Sequence, residues 1–156
     1  MAANVFNVFM SEHPPIAKLV DHANAVLWDE SALNPVVKER LRIALAEAIG
    51  CSYCVRFRTD DAEGTILERE GDLSEADQRK AELAEDFARA AVKGDGEPPD
   101  PLTVMVQKYF SPAEFTDLVF SVGWFIGMQH VGRVMHWDES CPVAPIREKV
   151  EAGEAA

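Results

Sequence analysis

The chain has 156 residues, 47% of them hydrophobic, with 15 basic against 27 acidic side chains and a formal charge of −12. That length suits a single domain, able to bury about two-thirds of the surface its unfolded chain exposes. So acidic a surface repels phosphate backbones and anionic headgroups, which sets aside nucleic acid and membrane surfaces as partners.

Taken in chain order, the pattern is helical almost throughout. Residues 1–13 are loosely apolar (Val5, Phe6, Val8, Phe9, Met10), and Pro14-Pro15 opens a segment running towards Trp28. A second helix starts after Asn34, with Pro35 at the first helical position, where a missing N–H costs nothing. Val37, Leu41, Ala44, Leu45 and Ala48 recur at helical spacing along it, and Gly50 is its natural stop. A third helix is expected from Cys51 to Glu63, ended by Gly64. Ser74, with Asp77 three residues on, has the form of an N-cap for an alanine-rich helix reaching Lys93. A Gly- and Pro-rich loop follows over 93–101, then a short helix from Leu102 to Phe110.

Ser111-Pro112-Ala113-Glu114 reads as a capping box opening the longest helix, to Trp137. Gly123 and Gly127 on one face of it would admit the backbone of another helix. Its apolar run Leu118–Met128 is well short of the about 20 residues a membrane span needs, and reads as a buried core helix. From Asp138 the chain is tail-like. The reading is one all-α domain with an N-terminal helical arm (1–33), a core (34–137) and a tail (138–156). No basic stretch precedes an apolar one at the N-terminus, so no secretory signal is read. With three cysteines, the expected setting is a reducing cytoplasm.

Cys51-Ser52-Tyr53-Cys54 carries the most chemistry. At a helix start both sulfurs share one face, and the positive end of the helix favours thiolate over thiol. Once a peroxide turns one thiolate into a sulfenic acid, the neighbouring thiol can condense with it into a disulfide. The alternatives are a buried cysteine pair or half of a zinc site. Zinc would need Cys141, His130 and His136, and the two histidines fall on different helix faces. Without a βαβ pattern beside it, the motif does not suggest a thioredoxin-like domain.

Glu39, twelve residues before Cys51, has apolar helical neighbours in Ile43 and Ala46 and is a candidate proton acceptor; the alternative is a surface glutamate paired with Arg42. Glu47 is a second candidate with the same alternative. Tyr53 offers a hydrogen bond to a substrate oxygen or an aromatic packing role. Trp124 and Phe125 read as core, and His13 and His22 as isolated. Cys141 reads as inert or as a partner in a mixed disulfide between chains.

The segment Asn34 to Cys54, with Leu73-Ser-Glu-Ala and Tyr109-Phe-Ser-Pro-Ala-Glu-Phe-Thr-Asp-Leu118, resembles the alkylhydroperoxidase D-like, or carboxymuconolactone decarboxylase, family. The resemblance implies an all-α alkylhydroperoxidase D-like fold forming trimers or hexamers, with no bound cofactor or metal. It implies Cys54 as the peroxidatic cysteine, Cys51 as the resolving one and Glu39 as a proton-relay carboxylate. The substrate would be a hydroperoxide and the reductant an external dithiol. Arg58 departs from the pattern, because the redox members have a histidine there. Arginine cannot serve as a base, although its charge would favour a Cys54 thiolate if the side chain turned to the sulfur. A decarboxylase-like enzyme without redox chemistry, and a non-catalytic relative keeping the fold, are the remaining readings.

Overall fold

The computed structural model describes residues 12–93 and 98–134. The elements are α1 (Pro14–Asp29), α2 (Pro35–Ile49), α3 (Ser52–Arg56), a hairpin of β1 (Asp60–Asp61) and β2 (Gly64–Thr65), a 3-10 helix (Ile66–Asp72), α4 (Glu75–Ala91), α5 (Asp100–Tyr109) and α6 (Pro112–Val134). The two-residue strands pair antiparallel, Asp60 with Thr65 and Asp61 with Gly64, and the rest is helical as the periodicity predicts.

Local chemistry sets most of the boundaries. Asn34 Oδ1 accepts from Val36 N at 2.9 Å, and Pro35 fills the first helical position of α2. Gly50 ends α2 in the left-handed region at φ 79°, its N–H donating to the Ala46 and Glu47 carbonyls. Ser74 Oγ caps α4 by accepting from Asp77 N at 3.1 Å. The capping box at α6 closes both ways: Ser111 N donates to Glu114 Oε2 at 2.8 Å, and Glu114 N to Ser111 Oγ at 3.3 Å. His13, which had no role from sequence, caps α1 by accepting from Ile16 N on Nδ1 at 3.4 Å.

Helix α2 is the hub, packed against α4 and α6. Its Val37, Leu41, Ala44 and Leu45 meet Ala81, Ala84 and Ala88 of α4, whose small side chains bring the two backbones close. Val106, Phe110, Leu118, Val122 and Phe125 complete the core. Leu41 and Leu45 are fully buried, and truncating either to alanine should cost about 2–5 kcal/mol.

One expectation fails. The cysteine helix does not run to Glu63: it ends at Arg56, with Phe57 already extended at ψ 136°. Asp60 and Asp61 with Gly64 at φ 112° form a hairpin instead, tied by ion pairs from Arg69 to Asp61 and Glu63. Gly123 and Gly127 meet no other helix among the described residues. Both are exposed, and a Cβ at either would meet nothing within 4 Å among the described residues. Among the described residues no helix is long and apolar enough to cross a membrane. His136, Trp137, Cys141 and the tail lie outside the described residues, as do residues 1–11 of the arm.

Candidate active site

The left-handed turn at Gly50 delivers Cys51 to the N-cap of α3, where its Sγ accepts from Cys54 N at 3.3 Å. Cys51 and Cys54 are joined in a disulfide, their Cα atoms 5.3 Å apart. Both are buried, at 5% and 9% exposure, against Ala46, with Tyr53 and Val55 packed around them. Because α3 is only five residues long, it supplies much less of an aligned peptide dipole than a helix to Glu63 would have done.

Beneath the dithiol turn lies an ion pair from α2. Glu39, 0% exposed, takes a forked contact from Arg42: Nε to Oε2 at 2.8 Å and Nη2 to Oε1 at 2.7 Å. Arg42 spends its other donors on the turn itself, Nη1 on the Cys54 carbonyl at 2.7 Å and Nη2 on the Phe57 carbonyl at 2.6 Å. Its guanidinium also stands 5.5 Å from the Phe57 ring centre. Glu39 further accepts from Thr59 N at 3.2 Å and Thr59 Oγ1 at 2.9 Å. A carboxylate offers about four lone-pair sites, and all of those on Glu39 are engaged. The sequence alternative for Glu39 is half right: it pairs with Arg42, but in the interior and not on the surface. Glu47 is a surface residue, 4.0 Å from Arg89.

Arg58 does not turn to the sulfur. It is exposed, and its Nη1 donates to the Val55 and Phe57 carbonyls at the end of α3. Tyr53 packs as an aromatic, its ring against Phe57 with centres 6.2 Å apart, and it lines the cavity described next. Burial raises its pKa above the ordinary tyrosine value.

Cys54, and not Cys51, borders a cavity of about 290 Å³. Trp28, Trp124, Phe125 and Met128 form its apolar wall; Asn24, Thr59, Arg42 and Gln129 are its polar members. Trp124 and Phe125, read from sequence as core, therefore face this space as well, and Trp28 and Phe125 meet at 5.9 Å. Gln129 went unnoticed in the sequence. It falls four residues after Phe125 and seven after Val122, on the buried face of α6, and that spacing was the available signal. Thr59 was hidden because the expected helix ran through it. Arg133 on the same helix donates to the Ile49 carbonyl at 3.2 Å, closing the end of α2 next to Cys51.

A helical hub carrying a buried Glu–Arg pair under a C-x-x-C turn defines a dithiol-bearing helical domain. The sequence matches the carboxymuconolactone decarboxylase family over residues 16–93, half of the chain, and the protein belongs to that family. The matched segment starts in α1 and includes Glu39, Arg42, both cysteines, Arg58 and Thr59; α5 and α6 lie beyond it. No curated protein and no solved structure matches the chain.

Proposed function

We propose that this protein is a thiol-dependent peroxidase, working through dithiol–disulfide exchange at Cys51 and Cys54. One observation carries the reading: a disulfide-forming pair of which a single member, Cys54, borders an apolar cavity of about 290 Å³. In the reduced protein the Cys54 thiolate attacks the terminal oxygen of a hydroperoxide. The O–O bond breaks, an S–O bond forms, and the alkoxide takes up a proton to leave as the alcohol. Cys51 then attacks the sulfenic sulfur, forming the disulfide and releasing water. An external dithiol reduces the pair and is itself oxidised. The sum is one hydroperoxide and one dithiol to one alcohol, one water and one disulfide.

In this reading Glu39 exchanges protons with the cavity through Thr59, since Arg42, its other partner in the lining, cannot give up its proton. The Thr59 hydroxyl donates to Glu39 and lines the cavity, so its own lone pairs are available to a proton arriving from the substrate side. Arg42 holds the two carbonyls that shape the turn. Arg58 closes α3 and takes no part in proton transfer, while Tyr53 offers a donor to a substrate oxygen. The expected setting is a cytoplasmic homo-oligomer, trimer or hexamer. Exposed Phe120 and Val134 beside Gly123 and Gly127 on α6 support association with further copies.

The test is peroxide consumption with a dithiol reductant, comparing the parent with Cys54→Ser. The variant should be inactive, and matching rates would remove Cys54 from its role. A lactone or decarboxylation activity that survives alkylation of both cysteines would replace the redox reading by the other branch of the family.

A further inference from the structure

Gln129 is 4% exposed and lines the same cavity as Cys54. Its Nε2 donates to the Arg42 carbonyl at 3.1 Å. A peptide carbonyl can only accept, so that contact must be made by the amide's NH₂ end, and the opposite end is the oxygen. That oxygen, Oε1, is buried and has no hydrogen-bond partner among the described residues. An unpaired amide oxygen in the interior is costly, and a leucine or methionine would fill the site without the cost. The other cavity-lining residues of α6, Trp124, Phe125 and Met128, are all apolar. Gln129 thus brings one buried acceptor without a donor to the lining of a cavity that Cys54 also borders, among apolar neighbours on α6.

We propose that Gln129 orients the ligand in this cavity, its Oε1 accepting from the O–H of an aromatic or branched-alkyl hydroperoxide, and equally from the corresponding alcohol. The choice of hydroperoxide rests on the peroxidase reading above; the preference for an O–H donor does not. The hydrogen of a hydroperoxide sits on its terminal oxygen, the atom a thiolate attacks. Holding that O–H therefore holds the reacting oxygen in the space bordered by Cys54, while Trp28 and Trp124 pack the organic group. A ligand with an acceptor oxygen and no O–H gains nothing from Gln129.

Binding of small aromatic probes to the intact oxidised protein tests this, measured by calorimetry, with no peroxide or reductant present. On the unmodified protein, benzyl alcohol should bind about tenfold more tightly than benzyl methyl ether, which keeps the oxygen and lacks the donor. Gln129→Met should weaken benzyl alcohol about tenfold and leave ethylbenzene, its methyl-for-hydroxyl counterpart, unchanged or tighter. Equal affinities for alcohol and ether on the parent overturn the proposal whether or not the variant folds. So does a Gln129→Met variant in which alcohol and ethylbenzene weaken together, since that marks a packing role, and so does a parent that binds none of the three. In turnover, Gln129→Met should raise KM for cumene hydroperoxide more than it lowers kcat. Loss of the peroxidase reading would show instead as an active Cys54→Ser, with the probe preference untouched.

Discussion

Adjacent residues on α2, Lys38 and Glu39, are both completely buried, and each is half of an ion pair, yet the two pairs do different work. Lys38 reaches Asp117 on α6 at 2.6 Å and the Leu27 carbonyl at the end of α1 at 2.5 Å. Asp117 in turn accepts from Ser31 Oγ, the N–H groups of Ala32 and Leu33, and Ser121 Oγ. That pair bolts three helices together across long sequence separations. Glu39 pairs with Arg42 three residues away on its own helix, which anchors nothing by itself. The leftover donors of Arg42 then fix the dithiol turn, and the remaining oxygen sites of Glu39 fix Thr59. One pair supports the scaffold; the other supports the site. A buried charge on this helix cannot be assigned from its burial, only from where its surplus hydrogen bonds go.

The largest effect should come from the scaffold pair. Asp117→Ala strands the Lys38 ammonium in the interior and should cost about 3–5 kcal/mol in urea denaturation, whereas Lys38→Met should cost far less, because Asp117 keeps its Ser31, Ala32 and Leu33 donors. Equal losses in the two variants would break the asymmetry. The pair also fixes the acid limb of stability. Burial alone pushes the Asp117 pKa up, but hydrogen bonds from Lys38 and Ser31 and the lysine charge outweigh it and hold the carboxyl below its usual value. A folded pKa below the unfolded one means stability that is complete above the ordinary aspartate value of about 3.9 and is lost as pH falls through the lower folded value. Burial acts on Lys38 in the other direction, lowering its pKa against the raising effect of Asp117. Asp117→Asn should flatten the stability profile on the acid side.

Next comes the site pair. Arg42→Met leaves Glu39 with only its Thr59 donors and frees the Cys54 and Phe57 carbonyls, so it should lower stability by about 3 kcal/mol and also slow reduction of the disulfide by dithiol. The contrast to look for is that Lys38→Met alters stability while the folded protein keeps its redox rate. Thr59→Val is smaller, about 1 kcal/mol, and should slow hydroperoxide turnover more than plain disulfide exchange, which needs no proton from the cavity. A Thr59→Val variant turning over at the parent rate would remove Thr59 from the proposed proton path. Arg58→Ala should be smallest, within about 0.5 kcal/mol of the parent, because the side chain is exposed and contacts only backbone oxygens. Arg58→His should raise the peroxide rate if a missing base limits turnover.

The sequence was most informative where short-range chemistry decides structure. Asn34-Pro35, Gly50, Ser74 and the Ser111–Glu114 box each mark a helix boundary that the structure keeps, because a cap or a left-handed turn depends on a few adjacent residues. The glutamate-to-dithiol spacing likewise brought Glu39 under the cysteines. Its partners were less legible: an i,i+3 pair with Arg42 looks the same on a surface helix as in the interior. Val55 to Glu63 contains no proline or glycine to mark the end of α3, and the contacts that hold the extended chain there are made with residues outside it, Arg69 to Asp61 and Glu63 and Glu39 to Thr59. Gln129 and Asp117 act from α6, more than 70 residues from the partners that define their roles. Nothing local to α6 reveals those partners.

In the proposed reaction Cys54 is the sulfur that meets the oxidant and Cys51 the one that closes on it. Reduced Cys51→Ser protein, given one equivalent of cumene hydroperoxide and then dimedone, should carry the adduct on Cys54, since no neighbour remains to resolve its sulfenic acid. Peroxide left unconsumed, with Cys54 recovered as an unmodified thiol, would contradict the account.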